Sequence, residues 1–144
     1  MSSNEHGGGN LGYLRKRSQQ AFRGRMDAAL KPLGITAPQY AVLSSLAIEP
    51  GISNAALARV AFVTPQTMQG ILANLEKLKL VGREAAPDHG RILESRLSER
   101  GTAVLAKAHR LARAVEDEMI AEVSERDVAQ ARRLLTRFAE NLGG

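Results

Sequence analysis

The sequence predicts a mainly α fold of about six helices with one small β-hairpin. Apolar residues recur at helical spacing along most of the 144 residues. Hydrophobic residues make up 44% of the chain and aromatic residues only 3%, so the core must consist of Leu, Ala, Val and Ile, which favours helices. Two runs with strand-like alternation flank a cluster of turn-forming residues at 87–90, and they predict the hairpin.

Charge and composition narrow the classes of function. The formal net charge of +5 suits a nucleic-acid partner, with a solvated basic surface as the alternative. The absence of cysteine excludes disulfides, thiolate catalysis, Cys-ligated zinc and thiol-based redox sensing. No apolar run approaches the roughly 20 residues that span a bilayer, and no signal peptide opens the chain. We expect a cytoplasmic protein with no membrane partner, no metal and no cofactor.

The chain opens on a tail and a long helix. Residues 1–10 are mostly Ser, Gly and Asn, which predicts a disordered tail. The first helix begins at Leu11, and Pro32 and Gly34 end it. Its apolar stripe is long, so we expect it to pack against a C-terminal helix or a second subunit.

Three further helices follow, each with a capping residue. Thr36 opens the second helix and forms a capping box with Gln39. Ser53 caps a short, Ala-rich third helix, and residues 61–63 form a turn. Thr64 caps the fourth helix, which has Pro at its first position and runs to about residue 78. Two short helices that meet at a tight turn predict a helix-turn-helix.

The exposed side of the fourth helix carries amide, small and basic residues and no acid. Amide side chains pair with adenine edges, and small residues let a helix lie deep in the major groove. Gly70 in mid-helix costs about 1 kcal/mol against Ala, which indicates close approach either to DNA or to a neighbouring helix. The alternative is an ordinary polar face. The residues of this side are Gln66, Thr67, Gln69, Gly70, Ala73, Asn74 and Lys77.

The predicted hairpin consists of Val81–Ala86, the turn at residues 87–90 and Ile92–Leu97. Alternation would place apolar side chains inward and charged ones outward: Leu93 and Leu97 inward, Glu94 and Arg96 outward. Arg91 follows the turn. It either enters a DNA minor groove, where negative potential is concentrated, or is solvated or paired with Asp88.

Two amphipathic helices complete the chain. Ser98 caps the fifth helix, whose apolar stripe extends to about residue 123. Ser124 and Asp127 resemble another capping box and open the last helix. The order is therefore four helices, a hairpin and two helices.

These residues, in this order, resemble the MarR family of winged-helix transcriptional regulators over about residues 11–142. P-L-G-I-T-A-P-Q-Y-A-V-L-S-S-L is similar to the family's entry into its second helix. L-A-R-V-A-F-V-T-P-Q-T-M-Q-G-I-L-A-N-L-E-K-L-K-L-V-G-R is similar to its helix-turn-helix. D-H-G-R-I-L-E-S-R-L-S-E-R-G resembles its wing and the capped helix that follows.

The resemblance implies a winged helix-turn-helix at residues 35–97 and a helical dimerisation region formed by residues 11–34 and 98–142. It implies an obligate homodimer that represses nearby genes from a pseudo-palindromic operator. It also implies release when a small, often phenolic, anion binds between the two regions. For this aromatic or anionic effector we expect contributions from Arg15, Phe22, Met26, Tyr40 and His109, each of which has a core or surface role as its alternative.

Double-stranded DNA is the partner that both the residues and the resemblance predict. Backbone N–H groups at two helix starts and three basic side chains would hold phosphates, amides and Thr67 would read base edges, and the wing arginine would anchor the flank. The predicted DNA-binding residues are Ser53, Arg59, Thr64, Gln66, Thr67, Gln69, Gly70, Asn74, Lys77, Arg83 and Arg91.

The sequence departs from the family pattern at three places. Asp88 and Arg91 are separated by two residues where the family often has one. Ser95 stands where an apolar strand residue is common. Lys79 replaces a frequent Gly after the recognition helix, so we expect the helix to end differently.

Two other classes of function remain as rivals. A winged-helix adaptor would bind a partner protein and ignore duplex DNA, but the amide-bearing and basic exposed face argues against it. An enzyme has little support, because the histidines at positions 6, 89 and 109 have the settings of surface residues. We expect a regulator and not an enzyme.

Overall fold

The computed structural model describes residues 9–144, with the backbone alone for residues 89–92. The predicted tail, apart from its last two residues, therefore lies outside the described residues. The described chain contains six helices and an antiparallel hairpin, which confirms the predicted fold class. The elements are α1 (Leu11–Leu30) followed by a 3-10 turn (Lys31–Leu33), α2 (Ala37–Ile48), α3 (Asn54–Val60), α4 (Pro65–Lys77), β1 (Val81–Ala86), β2 (His89–Leu97), α5 (Glu99–Met119) and α6 (Glu125–Asn141). Within that part of the chain, every helix is too short or too polar to cross a bilayer.

Side-chain caps fix where the helices begin, as predicted. At α2 the Thr36 hydroxyl accepts from the Gln39 N–H, and the Gln39 side chain accepts from the Thr36 N–H, which completes the capping box. Asn10 is part of the fold, because its side-chain oxygen accepts a 2.7 Å hydrogen bond from the Tyr13 N–H at the start of α1. The remaining caps are the predicted ones: Ser53, Thr64, Ser98 and Ser124.

The core lies where α2, α4 and α5 meet, with α1 packed along α5. Its side chains are the predicted Leu, Val, Ile and Ala, and in addition Met26 and Met68. The packing of α1 on α5 satisfies the expectation that the first helix finds a C-terminal partner. The largest fully buried side chains are Leu30, Val42, Leu43, Leu46, Leu57, Met68 and Leu75.

The helix-turn-helix contains two helix ends of the same kind. After α3 the Val63 N–H bonds to the Ala58 carbonyl and the Phe62 N–H to the Arg59 carbonyl. After α4 the N–H groups of residues 80 and 79 make the equivalent bonds to the carbonyls of residues 75 and 76. Both patterns are Schellman motifs, which require a left-handed residue that is usually Gly.

Neither motif has glycine at that position. Phe62 has φ +55° and Lys79 has φ +61°. A left-handed conformation costs a residue with a Cβ about 1 kcal/mol. The expectation that Lys79 would change the end of the recognition helix is therefore wrong: lysine adopts the left-handed conformation, and the buried pair Leu75 and Leu80 closes the motif.

The exit from α4 docks directly onto the start of α5. The Ser98 hydroxyl donates a 2.6 Å hydrogen bond to the Lys79 carbonyl, and the Ser98 N–H donates a 3.0 Å bond to the Leu80 carbonyl. Gly101 lies against the same segment, and a Cβ at this position would overlap the Leu80 carbonyl oxygen. The backbones can approach this closely only because residue 101 has no side chain.

The hairpin differs from the prediction in two respects. Strand β2 begins at His89, so the turn is shorter than expected, and a bulge lies between residues 85 and 86. Leu93 is 59% exposed and Ser95 only 6% exposed, so the inward placement of Leu93 is wrong. Leu93 pairs with Ala85 in the outer half of the hairpin, beyond the helical core, whereas Ser95 lies closer to it.

Glu94 also departs from its predicted outward position. Its carboxylate lies against Gly51, where a Cβ would come within 2.9 Å of it, and it accepts a 3.0 Å hydrogen bond from Arg96. The base of the wing is therefore fixed to the turn between α2 and α3.

We predict that Gly101→Ala lowers the free energy of unfolding by about 2–3 kcal/mol, because the added methyl group separates α5 from the exit of α4. Urea denaturation at fixed protein concentration measures the change. Gly24→Ala is the matched control, since a Cβ there meets nothing within 4 Å, and it should stabilise α1 by about 0.5–1 kcal/mol. Equal stability of the Gly101 variant and the parent would contradict the close docking.

Candidate nucleic-acid interface and ligand cleft

One side of α4 is buried and the other is free to meet a partner. Met68, Leu72 and Leu75 face the core. The predicted DNA-binding residues on the opposite side are all exposed: the base readers Gln66, Thr67, Gln69 and Asn74, together with Gly70 and the phosphate-binding Lys77. Amide, small and basic groups therefore form a continuous outer surface on this helix.

No contact within the described chain explains why residue 70 is a glycine. A Cβ at this position would meet nothing within 4 Å, so no neighbouring helix requires the missing side chain. Of the two explanations that the sequence offered, packing against another helix is wrong. The other, close approach to DNA, remains.

The two predicted helix-start sites use their hydroxyl groups internally. The Ser53 hydroxyl accepts from the Ala56 N–H at 3.1 Å, and the Thr64 hydroxyl accepts from the Thr67 N–H at 3.1 Å. The Thr64 hydroxyl also donates to the Thr67 hydroxyl at 3.0 Å. The groups that remain available at these sites are backbone N–H groups of the first turn. They lie at the positive ends of two helices, where a phosphate group binds favourably.

The basic residues of the site differ in how exposed they are and in whether they lie close to an acidic side chain. Arg59 in the last turn of α3 and Lys77 in the last turn of α4 are exposed. Arg83 on β1 is half-buried, and its Nε lies 3.5 Å from the Glu76 carboxylate. That Nε is buried and makes no hydrogen bond in the structure. Arg83 therefore joins the wing to the recognition helix and neutralises the acid at its edge.

For Arg91, the arginine of the wing, the structure describes the backbone only. Arg91 belongs to β2, in the outer half of the hairpin. Its side chain lies outside the described part of the structure, and so does any pairing with Asp88. Its role at a minor groove stays a prediction.

A cleft of about 340 Å³ separates α1, α2 and α5 from the helix-turn-helix. Three of the five predicted effector residues line it: Phe22, Met26 and Tyr40. Arg15 instead lines a second cleft of about 480 Å³, which shares Gln19, Phe22 and Phe62 with the first. The structure thus brings four of the predicted residues to two adjoining clefts.

His109 does not line either cleft but contacts one of the walls. Its Nδ1 and the Tyr40 hydroxyl share a 2.7 Å hydrogen bond, and the two rings meet edge to face with centroids 5.4 Å apart. Burial raises the pKa of Tyr40, so its hydroxyl keeps its proton at neutral pH. His109 therefore acts on the cleft by holding Tyr40 in place.

Phe62 is the residue that sequence reasoning missed. It lines both clefts, yet the residue is 95% exposed. The signal was present in the sequence, because an aromatic residue stands in the helix-turn-helix turn where Gly is usual. Among the described residues, no cluster of His, Asp or Glu could hold a metal ion.

Comparison with known proteins finds a matching family, a similar repressor and similar solved structures. A family model described as the MarR family matches residues 33–92. The chain is 39% identical over 133 residues to the HTH-type transcriptional repressor Rv2887 of Mycobacterium tuberculosis, covering 92% of this chain and 93% of the repressor. A crystal structure of Rv2887 in complex with salicylic acid matches with a TM-score of 0.74 and 37% identity, covering 90% of this chain and 96% of that one. Rv2887 in complex with DNA matches with a TM-score of 0.68 and 36% identity, covering 94% and 98%.

We predict that Gly70→Ala stabilises the protein by about 0.5–1 kcal/mol through helix propensity and yet raises the Kd for operator DNA at least tenfold. The added methyl group would hold the helix away from the base pairs. Urea denaturation and fluorescence anisotropy measure the two effects. Gly24→Ala should give the same gain in stability with unchanged DNA affinity. Unchanged DNA affinity in both variants would contradict close approach at Gly70.

Proposed function

The chain belongs to the MarR family of transcriptional regulators, and from this premise we propose that it is a homodimeric, sequence-specific repressor that an aromatic anion releases from DNA. The family confirms the prediction of a regulator and not an enzyme. The observation that carries the proposal is the exposed, acid-free face of α4, which the capped helix-turn-helix holds away from the core. A regulator of this kind must reach DNA to act. We therefore propose the cytoplasm as its location.

The proposed base readers are the amide groups of α4. Gln66, Gln69 and Asn74 would contact base edges in the major groove, with Thr67 beside them and Gly70 allowing the approach. In a two-fold dimer the two α4 helices enter successive major grooves about 34 Å apart. Rv2887, a relative that covers nearly the whole chain, has been crystallised with DNA, which supports DNA as the partner of this chain.

Phosphate contacts would surround the readers. Arg59 and Lys77 are exposed cations at the ends of α3 and α4, and Arg83 can turn its guanidinium from Glu76 toward a phosphate. The helix starts behind Ser53 and Thr64 add oriented N–H groups. Arg91 would anchor the flanking minor groove from the wing. The formal net charge of +5 favours all of these contacts.

The homodimer would form through α1 and α6. Helix α6 has a strong apolar stripe and no buried residue within one protomer. At its end Leu142 is 90% exposed, and Leu135 and Phe138 share an apolar groove with Leu11 and Leu14 of α1. An apolar surface of this kind is stabilised when a second copy covers it.

The proposed effector site is the pair of clefts between the dimerisation helices and the helix-turn-helix. Phe22, Met26 and Tyr40 offer an apolar, aromatic wall, and Arg15 offers a cation in the adjoining cleft. Such a lining suits a planar ring that carries a carboxylate. Rv2887 has been crystallised with salicylic acid, which supports the same class of effector here.

We predict that the protein binds duplex from the promoter beside its own gene more tightly than random duplex, in shift assays over a salt series. Lys77→Ala should weaken binding to all sequences and reduce the salt slope by about one for each protomer, because it removes a phosphate contact. Gln69→Ala should reduce the preference for the promoter by about 1–3 kcal/mol, because it removes a base contact.

The rival adaptor function makes the opposite prediction. If the wild-type protein shows no preference over random duplex at any salt concentration, the repressor is excluded. A dimer that ignores duplex and captures a partner protein would then support the adaptor.

We predict that Leu135→Glu dissociates the dimer, because it places a charge in the apolar stripe of α6. Sedimentation velocity should show a monomer, and operator affinity should fall at least a hundredfold because one half-site contact is lost. Thr136→Glu is the matched control: it adds the same charge at the adjacent position, beside Arg132 and Arg133, and should stay dimeric. A Leu135 variant that remains a tight dimer would contradict the proposed interface.

A further inference from the structure

Phe62 combines two features that the fold does not require. Its backbone is left-handed, with φ +55°, and the residue as a whole is 95% exposed. Glycine would adopt this conformation without strain, and a polar residue would suit the solvent. A large apolar ring at such a position indicates that something covers it in another state of the protein.

The ring lies where an effector would be. Phe62 and Phe22 line both clefts, on opposite sides: Phe22 belongs to α1 and Phe62 to the helix-turn-helix. Gln19 and Arg15 stand on the same helix as Phe22, and Arg15 lines the second cleft together with Phe62. A planar ring bound here would meet two aromatic residues of the lining and a cation within the adjoining cleft.

Phe62 is also directly connected to the recognition helix. It precedes by two residues Thr64, whose hydroxyl caps α4. The Schellman bonds from Phe62 and Val63 to α3 make the turn a defined unit, so the ring and the start of α4 are carried by the same short segment. A contact that holds the ring therefore also constrains the start of α4.

Resting on the proposed function, we propose that Phe62 is the residue that couples effector binding to release of DNA. An effector weakens DNA binding only if it binds one arrangement of the protein more tightly than another. Stacking on Phe62 supplies that difference, because the ring is covered by the effector only when the turn lies toward α1. DNA binding requires the arrangement in which α4 is seated in the major groove, and there the ring stays exposed.

An effector fits Phe62 better than the two other partners do. A phenyl ring offers no hydrogen bond or charge to DNA phosphates. The groove that we assign to the second copy of the chain adjoins the second cleft, since Arg15 and Leu135 line both, but Phe62 does not line that groove. DNA contact and dimer contact at Phe62 are nevertheless outcomes that the experiment detects.

The test uses the full-length dimer, sodium salicylate as the probe, and the variants Phe62→Gly and Phe62→Tyr. Calorimetric titration without DNA measures the salicylate Kd, and anisotropy of labelled operator measures the DNA Kd with and without saturating salicylate. We expect Phe62→Gly to raise the salicylate Kd at least tenfold and to abolish the change in DNA Kd that salicylate causes. Phe62→Tyr keeps the ring and should retain both to within threefold.

Lys79→Gly is the matched control for backbone strain. It relieves the same left-handed conformation at the other Schellman motif, away from both clefts. Both glycine variants should resist urea better than the parent, and only the Phe62 variant should lose the response to salicylate. Loss of the response in both would mean that the effect comes from the backbone and would overturn the proposal.

Other outcomes overturn it in distinguishable ways. A Phe62→Gly variant that responds to salicylate like the wild type overturns the coupling role and leaves the repressor function intact. Loss of operator affinity or of dimer mass in that variant, with an unchanged salicylate Kd, assigns the ring to DNA or to the partner copy instead. Wild-type protein that binds operator but no salicylate overturns both the proposed effector and this inference.

Discussion

The contact between the end of α4 and the start of α5 is the constraint on which the rest of the structure depends. Ser98 both caps α5 and donates its hydroxyl to the Lys79 carbonyl, so one side chain starts one helix and fixes the end of another. Gly101 lets the Leu80 backbone lie against the first turn of α5. Because α5 also packs against α1 and α2, the exit of the recognition helix is tied to these two helices through α5.

The two ends of the recognition helix are therefore held differently. Lys79 and Phe62 occupy the same position in equivalent motifs, and both adopt a left-handed conformation. The segment at Lys79 is fixed by hydrogen bonds to Ser98, whereas the ring of Phe62 projects into solvent between two clefts. The effector contact that we propose at Phe62 would therefore act at the entry of α4, at the end opposite to the one that Ser98 holds.

The sequence predicted what local chemistry decides and missed what the tertiary structure decides. Five helix starts were predicted because a capping side chain acts within three residues. The expectation at Lys79 was wrong because the preference for Gly at this position is weak compared with tertiary contacts. Here the start of α5 holds the backbone in the left-handed conformation. Leu93 was wrongly expected to be buried. Alternation identifies which face of a strand a side chain lies on, but it does not show how far along the strand the core extends. Phe62 was missed because its significance depends on clefts formed by helices distant in sequence.

Arg83 shows how the wing and the recognition helix act as one surface. Its buried Nε lies 3.5 Å from the Glu76 carboxylate and has no hydrogen-bond acceptor at good distance. A buried N–H without an acceptor is costly, so the ion pair alone does not satisfy this guanidinium. What Arg83 does provide is a link between β1 of the wing and Glu76 of α4, so the position of the recognition helix depends on the position of the wing.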